Sequence, residues 1–280
     1  MNNNKIKSYA KVNLSLYVIG KSKSKLHRIE SLISFINLHD EIVINKSNKK
    51  FHSIKFYGKF SKGIPKNNTL SKLFKYLDNK KLLGDKKYSL IVKKNIPQKS
   101  GMGGGSMNAA AVIKYLLKKK IIILKKKDLE KISDFVGSDV KLGLDNRNSI
   151  LMPNGKVLKE KKRQKLHLLV VKPRMGCSTK IIYKNVKSYS KSNIKKKNNF
   201  RLKNLIFLRN DLEKIAIKKY PSLEKLKKIL NKLPNIKFTR MTGSGSAFIA
   251  YFVSKNAAIN ASKILNNKTS KYWNKISKTI

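Results

Sequence analysis

The stretch "NIPQKSGMGGGSMNAAAVIKYL", residues 95–116, decides how this chain is read: four of the five positions 101–105 are glycine, and small and aliphatic residues follow at once. Gly101, Gly103, Gly104 and Gly105 permit positive φ and leave amide N–H donors uncovered by any Cβ. A helix starting near Ser106 would aim its unpaired N–H groups and the positive end of its dipole at the same spot. That construction suits an anion such as a nucleotide's phosphates. It also suits a flexible turn demanded by close helix packing. The spacing is not that of a P-loop, because no lysine follows the last glycine, and not GxGxxG, because Ser106 stands where the third glycine would be.

Working outward, "YSLIVKK" (88–94) reads as a strand feeding the glycines, and "SMNAAAVIKYLL" as a closely packed helix carrying Ala109, Ala110, Val112, Ile113, Leu116 and Leu117. Towards the N-terminus, "KVNLSLYVI" (11–19) alternates Leu14, Leu16 and Val18 on one face of a single strand. "HDEIVI" (39–44) and "SIKFYG" (53–58) read as two further strands joined through the polar "NKSNKKF" turn. From Thr69, Leu70, Leu73, Phe74 and Leu77 recur at helical spacing, with Asn67 or Asn68 as the cap. "KKDLEKISDFV" (126–136) predicts a helix with Asp128 in its first turn and Gly137 just past its end.

Beyond "LMPNGKVLKEKKRQK" (151–165) the style changes. "LHLLVVKP" (166–173) is a core strand, "SLEKLKKILNKL" (222–233) a basic amphipathic helix with Leu223, Leu226, Ile229, Leu230 and Leu233 on one face, "SAFIAYFV" (246–253) a strand and "NAAINASKIL" (256–265) a helix. The change places a boundary near 159–165 and divides the chain into domains 1–160 and 161–280. Helices alternate with strands in both, and the early strands pair as hairpins, so the class is α+β rather than doubly wound. No internal repeat is visible.

Basic residues number 66 against 14 acidic, a formal charge of +52. They run along the whole chain instead of forming one footprint beside aromatic residues, and asparagine and isoleucine, which share AT-rich codons with lysine, are abundant too. Compositional bias therefore explains the charge as well as a nucleic-acid surface does. With 40% hydrophobic residues and Cys177 as the single cysteine, neither full disorder nor a disulfide framework fits, and a reducing cytoplasm is the expected setting. The longest apolar runs, at 121–124 and 168–171, fall far short of the ~20 residues of a membrane span. The N-terminal segment has no signal-peptide core. His27, His39, His52 and His167 lack zinc spacing, and no metal site is assigned. A second glycine cluster, "RMTGSGSAFIAYF" (240–252), places Gly243 and Gly245 among Thr242, Ser244 and Ser246 just before a strand. Both loops facing one ligand is one reading of it, and a tight turn into the strand is the other. Asp139 in "GSDVKLG" stands out because carboxylates are scarce, whereas Lys11 is one basic residue among many.

Taken together, "AKVNLSLYVIGKSKSKLHRIESLISFINLHDEIVI", "IPQKSGMGGGSMNAAA", "GSDV" and "RMTGSGSAFIAYF" resemble, in order and spacing, the blocks of the small-molecule kinase superfamily that includes galactokinase, homoserine kinase, mevalonate kinase and phosphomevalonate kinase. The long first block is most similar to the branch acting on a cytidine diphosphate-linked polyol of the non-mevalonate isoprenoid route. The resemblance implies an α+β, two-domain small-molecule kinase fold, with an active-site cleft between an N-terminal ribosomal-protein-S5-like α/β domain and a C-terminal ferredoxin-like α+β domain. It implies ATP on Pro97, Gly101, Gly103, Gly104, Gly105, Ser106 and Asn108, with Mg²⁺ travelling on the phosphates. Asp139 would be the general base towards a tertiary 2-hydroxyl and Lys11 its catalytic partner. Asn13, His27 and Tyr183 would hold the cytosine, and Gly243 and Ser244 would line the diphosphate and polyol. No nucleic acid or membrane is required, and a monomer or weak homodimer is expected. The chain departs from the pattern at "SKLH", where Leu26 replaces a stacking tyrosine, at Tyr9 and Lys141, which replace prolines, and at Met107, which replaces a serine. Another alcohol kinase of the superfamily and a basic RNA-binding module are the competing readings.

Overall fold

The computed structural model describes residues 4–22, 26–160, 165–192, 194 and 200–280. Residues 161–164 of the expected boundary, and Ser24 and Lys25 of "SKLH", lie outside the described residues. Packing divides the chain into two compact units, each assembled from separate stretches: Met1–Lys11, Leu38–Pro97 and Gly103–Asn146 form one, and Val12–Asn37, Gln98–Met102 and Arg147–Ile280 the other. The domains 1–160 and 161–280 read from composition are, by contrast, a division along the chain.

The strand expected over 11–19 is two strands, β1 (Lys5–Asn13) and β2 (Tyr17–Lys21). Between them the backbone is claimed elsewhere: Leu14 N–H donates to the Leu32 carbonyl at 2.7 Å, Leu16 N–H to the Arg209 carbonyl at 2.9 Å, and Asp211 N–H to the Leu16 carbonyl at 2.8 Å. β3 (His27–Ser47) is far longer than the six residues legible in the sequence, and its first part pairs antiparallel with β2.

In the first unit, the later part of β3 pairs antiparallel with β5 (Lys87–Lys93), and β4 (Ser53–Tyr57) pairs parallel with β5. β4 is therefore not the hairpin partner of β3. Tyr88, Leu90 and Val92 make β5 a buried central strand, which needs a partner on both sides, while the half-exposed β4 suits an edge. The crossover between these parallel strands carries α1 (Thr69–Asn79), capped by Asn68: its side-chain oxygen accepts from Leu70 N–H and Ser71 N–H at 3.0 and 3.2 Å, and Ser71 Oγ accepts from Asn68 N–H at 2.8 Å. Leu70, Leu73, Phe74 and Leu77 enter the core with Ile42, Ile44, Leu90 and Val92. Each such burial contributes ~1.5–3 kcal/mol. α2 (Gly104–Lys118) adds Ala109, Ala110, Val112 and Ile113 to that core, the alanines allowing close approach. α3 (Lys126–Val136) has Asp128 accepting from Lys125 N–H at 3.0 Å and Gly137 at its C-cap, as read from the sequence. The four-residue α4 (Val140–Gly143) follows.

In the second unit, β6 (Ser149–Leu151) pairs antiparallel with the first part of β3 and with β7 (Val157–Lys159). A separate antiparallel sheet has the order β11-β8-β10-β9, built from β8 (His167–Pro173), β9 (Phe238–Met241), β10 (Phe248–Phe252) and β11 (Tyr272–Lys278). All of β10 is buried, so its continuous apolar run marks a strand covered on both faces. Helices α5 (Thr179–Lys184), α6 (Leu202–Leu205), α7 (Asp211–Lys219), α8 (Ser222–Asn231) and α9 (Lys255–Lys268) complete this unit. Leu223, Leu226 and Leu230 of α8 and Ala258, Ala261 and Leu265 of α9 join Leu169, Val171, Phe248 and Ala250 of the sheet in one core.

Candidate active site

In the first unit, Lys11 from β1 and Asp139 from the N-cap of α4 form an ion pair, Nζ to Oδ2 3.4 Å. The lysine is nearly buried and the carboxylate is one-third exposed, its side chain at 32%. Asp139 makes no capping hydrogen bond from its side chain. Directly against the pair lies Gly103, the N-cap of α2, at φ +69°; a Cβ there would stand 3.1 Å from Lys11 Cε and 3.4 Å from Asp139 Oδ2. Backbone angle and available space both require glycine. α2 starts at Gly104, two residues ahead of the expected Ser106, because Gly103 supplies the left-handed entry and its carbonyl accepts from Met107 N–H at 2.9 Å. No side chain caps the helix and its first turn holds no acidic residue, so Gly104, Gly105 and Ser106 present N–H donors at the positive dipole end.

Two features of this loop escape a reading of residue types. Lys94 and Asp40 form a buried ion pair, and Asp40 Oδ1 also accepts from Asn95 N–H at 2.7 Å and Ile96 N–H at 2.8 Å, fixing the chain as it leaves β5 towards Pro97. The available signal was Asp40, one of two adjacent carboxylates with Glu41, just ahead of an apolar run. Met107, where the superfamily pattern has serine, is buried, and its Sδ would lie 2.9 Å from a Cβ on Gly143. The thioether fills the contact between α2 and α4. Asn108 is buried beside it with Oδ1 lacking a hydrogen-bond partner.

In the second unit, Gly101 and Gly243 account for one another. A Cβ on Gly101, at φ +76°, would lie 1.9 Å from the Thr242 carbonyl oxygen, and one on Gly243, at φ +54°, would lie 2.7 Å from the Gly101 carbonyl oxygen. The two glycine loops run backbone to backbone, with Ser246 N–H donating to Lys99 O at 3.2 Å and Ala247 N–H to Ser100 O at 3.3 Å. The two glycines therefore do different work: Gly101 serves backbone packing, while Gly103 frames the Lys11–Asp139 pair. Asn13 N–H donates to Thr242 Oγ1 at 3.0 Å, its side-chain amide donates to Ser31 Oγ at 2.8 Å, and Ser244 Oγ lies 2.8 Å from Thr179 Oγ1. Asn210, which the sequence reading missed, caps α7 through Oδ1 while its Nδ2 donates to the carbonyls of Met241 and Gly243, both at 2.8 Å. The pattern "NDLE" signals the cap, but not the hold on the glycine loop. His27 and Tyr183 come together with ring centroids 5.0 Å apart and planes tilted by 38°. His27 Nε2 is buried without a partner, and burial, reinforced by the charge of Lys21, holds the imidazole below its ordinary pKa. Leu26 is 71% exposed.

Residues 68–149 match the N-terminal domain of the GHMP kinases, and residues 190–271 match the C-terminal domain of the same family. The chain belongs to the GHMP kinases. It is 55% identical over 282 residues, covering 100% of both chains, to the 4-diphosphocytidyl-2-C-methyl-D-erythritol kinase of Pelagibacter ubique (strain HTCC1062). It is 32% identical to the protein of that name from Thermodesulfovibrio yellowstonii, covering 98% of this chain and 97% of the relative. Among solved structures, a 4-(cytidine 5'-diphospho)-2C-methyl-D-erythritol kinase matches with a TM-score of 0.79 at 22% identity over 99% of each chain. The homoserine kinase of Cytophaga hutchinsonii matches with a TM-score of 0.68 at 17% identity, over 99% of this chain and 95% of the other. These likenesses show the two-domain GHMP kinase fold. As a GHMP kinase, the chain is an ATP-using small-molecule phosphotransferase. Among the described residues of this GHMP kinase, no group of three or more His, Cys, Asp or Glu side chains could hold a metal ion, and no helix is long and apolar enough to cross a membrane.

Proposed function

We propose that this GHMP kinase transfers the γ-phosphoryl group of ATP to the 2-hydroxyl of 4-diphosphocytidyl-2-C-methyl-D-erythritol, within the non-mevalonate route to isoprenoid precursors. The full-length 55% identity to the Pelagibacter ubique protein supports the substrate. The observation that carries the chemistry is the Lys11–Asp139 pair against Gly103 at the uncapped start of α2. Asp139 takes the proton of the 2-hydroxyl as that oxygen bonds to the γ-phosphorus and the bond to the β,γ-bridging oxygen breaks, releasing ADP. Lys11 orients the carboxylate and offsets negative charge developing on the transferred group, so that positioning and electrostatics supply most of the rate. The N–H groups of Gly104, Gly105 and Ser106 receive phosphate oxygens, with Pro97 and Asn108 flanking the loop and Gly101 shaping it through its contact with Thr242. Magnesium would neutralise phosphate charge; Asp139, already paired with Lys11, would make no cage by itself, so the ion would travel with the ATP phosphates.

His27, Tyr183 and Asn13 recognise the cytosine in this reading, the neutral imidazole offering one donor and one acceptor. Gly243 and Ser244 line the diphosphate and polyol. Leu26 supplies no ring where the superfamily pattern has tyrosine, and a lost stacking contact weakens substrate binding by ~1–3 kcal/mol without touching the reacting atoms. The enzyme works in the cytoplasm as a monomer or weak homodimer, with no nucleic acid required and with functional domains 1–160 and 161–280. The test is ATP consumption with 4-diphosphocytidyl-2-C-methyl-D-erythritol, homoserine and mevalonate in parallel, repeated with Asp139→Asn. Turnover is expected only with the first substrate and is lost in the variant while ATP still binds. Preference for either of the other alcohols refutes the substrate; near-normal turnover by Asp139→Asn refutes the mechanism.

A further inference from the structure

A cavity of about 650 Å³ opens between β1 and α2 within the first unit, and none of the residues proposed above to bind ATP or substrate or to act in catalysis lines it. Its volume falls in the range of small-molecule sites, ~300–1,000 Å³. Its lining has two chemistries. Ile6, Met107, Ala111 and Leu117 give an apolar floor, while Lys114 and Lys118, four residues apart on one face of α2, bring cationic side chains to the same space. Lys114 is half-buried and is held below the ordinary lysine pKa by burial, which Asp145 partly offsets. Lys5 also lines the cavity, where it is paired with Glu41.

Ser8 supplies the independent observation. Only 1% exposed, it sits in this lining with Oγ buried and without a hydrogen-bond partner. A buried hydroxyl left unsatisfied carries a desolvation cost, and most buried side-chain polar atoms in folded proteins have a partner. A bound oxygen acceptor would provide one after rotation about the serine χ1.

We infer that this cavity between β1 and α2 is a binding site for a small amphipathic organic phosphate, whose anionic end meets Lys114 and Lys118 with the Ser8 hydroxyl and whose apolar body lies along Ile6, Met107 and Leu117. The combination favours such a ligand over a purely apolar one, which would leave the Ser8 hydroxyl unsatisfied and bury Lys114 further, and over a bare inorganic anion, which would leave the apolar floor uncovered. Because Met107 also fills the contact between α2 and Gly143, the occupant touches the packing between α2 and α4.

The test is calorimetric titration of the full-length protein with octyl phosphate, inorganic phosphate and octanol, each with a non-hydrolysable ATP analogue at saturation so that the glycine loop is filled. One-to-one binding of octyl phosphate, at least about tenfold tighter than either other probe, is expected. Lys114→Met should weaken it about tenfold and Ser8→Ala about threefold, while Lys263→Met, which removes the same charge from an exposed position on α9, should leave it unchanged. Equal affinity for all three probes, binding at many sites, competition by the ATP analogue, or equal effects of Lys114→Met and Lys263→Met each overturn the inference. Should Lys114→Met melt far below the parent, Lys118→Met and Ser8→Ala decide in its place.

Discussion

Replacing Gly103 with alanine separates catalytic from structural glycine. At φ +69° an alanine pays ~1–2 kcal/mol for the left-handed backbone. Its Cβ would lie 3.1 Å from Lys11 Cε and 3.2 Å from Lys11 Cγ, inside the ~3.5–4.0 Å optimum for carbon contacts. The lysine stem is flexible and gives way by a few tenths of an ångström, so the further stability cost is small. That stem, however, carries the ammonium group paired with Asp139 at 3.4 Å. Displacement at a reacting centre can cost ~10²-fold in rate. The expectation is a melting temperature lowered by ~2–8 °C, nearly unchanged ATP affinity, and kcat reduced about a hundredfold. Gly101→Ala is the contrast: its Cβ would fall 1.9 Å from the Thr242 carbonyl oxygen, backbone that cannot swing aside. There the loss is in stability, above ~3 kcal/mol. Melting curves and steady-state kinetics on both variants check the pair. Gly103→Ala retaining kcat within about twofold, or Gly101→Ala proving the milder change in melting, would refute the reasoning.

Asp40→Asn should cost ~3–5 kcal/mol in denaturant unfolding, because it strands the buried Lys94 ammonium; adding Lys94→Met should recover part of that, and an additive double variant would show that the two residues are not coupled. The Cys177 thiol, pushed up to about 11 by burial and only partly countered by Lys172, should resist thiol reagents at neutral pH until the protein is denatured; rapid labelling of the native protein contradicts this. For His27 the folded pKa lies below the ordinary 6.5, so the unfolded chain takes up a proton first as pH falls. Its contribution to stability is present above pH 6.5 and is lost as pH drops from there towards the folded value. A His27→Gln variant should show a flatter acid limb in thermal melts, and identical limbs would remove the argument.

What the sequence made legible was chemistry that acts over one or two helical turns. Asn68 before Thr69, Asp128 in the first turn of α3 and Gly137 after its end are short-range signals, and the structure places each where the residue types predict. Strand partners are long-range: β4 follows β3 through a polar turn, yet its ladder goes to β5, because the buried central strand needs a second neighbour. The break at 14–16 has the same origin, since Leu32 and the backbone at 209–211 lie far along the chain. Glycine shows the limit most plainly. A glycine codes for the absence of a Cβ and says nothing about what fills the vacated space. At Gly101 that space belongs to the carbonyl of Thr242, and at Gly103 to Lys11 and Asp139, so neighbours of one residue type in one loop do different jobs. Met107 is the converse. Where the superfamily pattern has a hydroxyl, the thioether packs on Gly143, and the start of α2 keeps its free N–H groups; a departure in side-chain chemistry there changes a helix contact and leaves the anion-binding backbone intact.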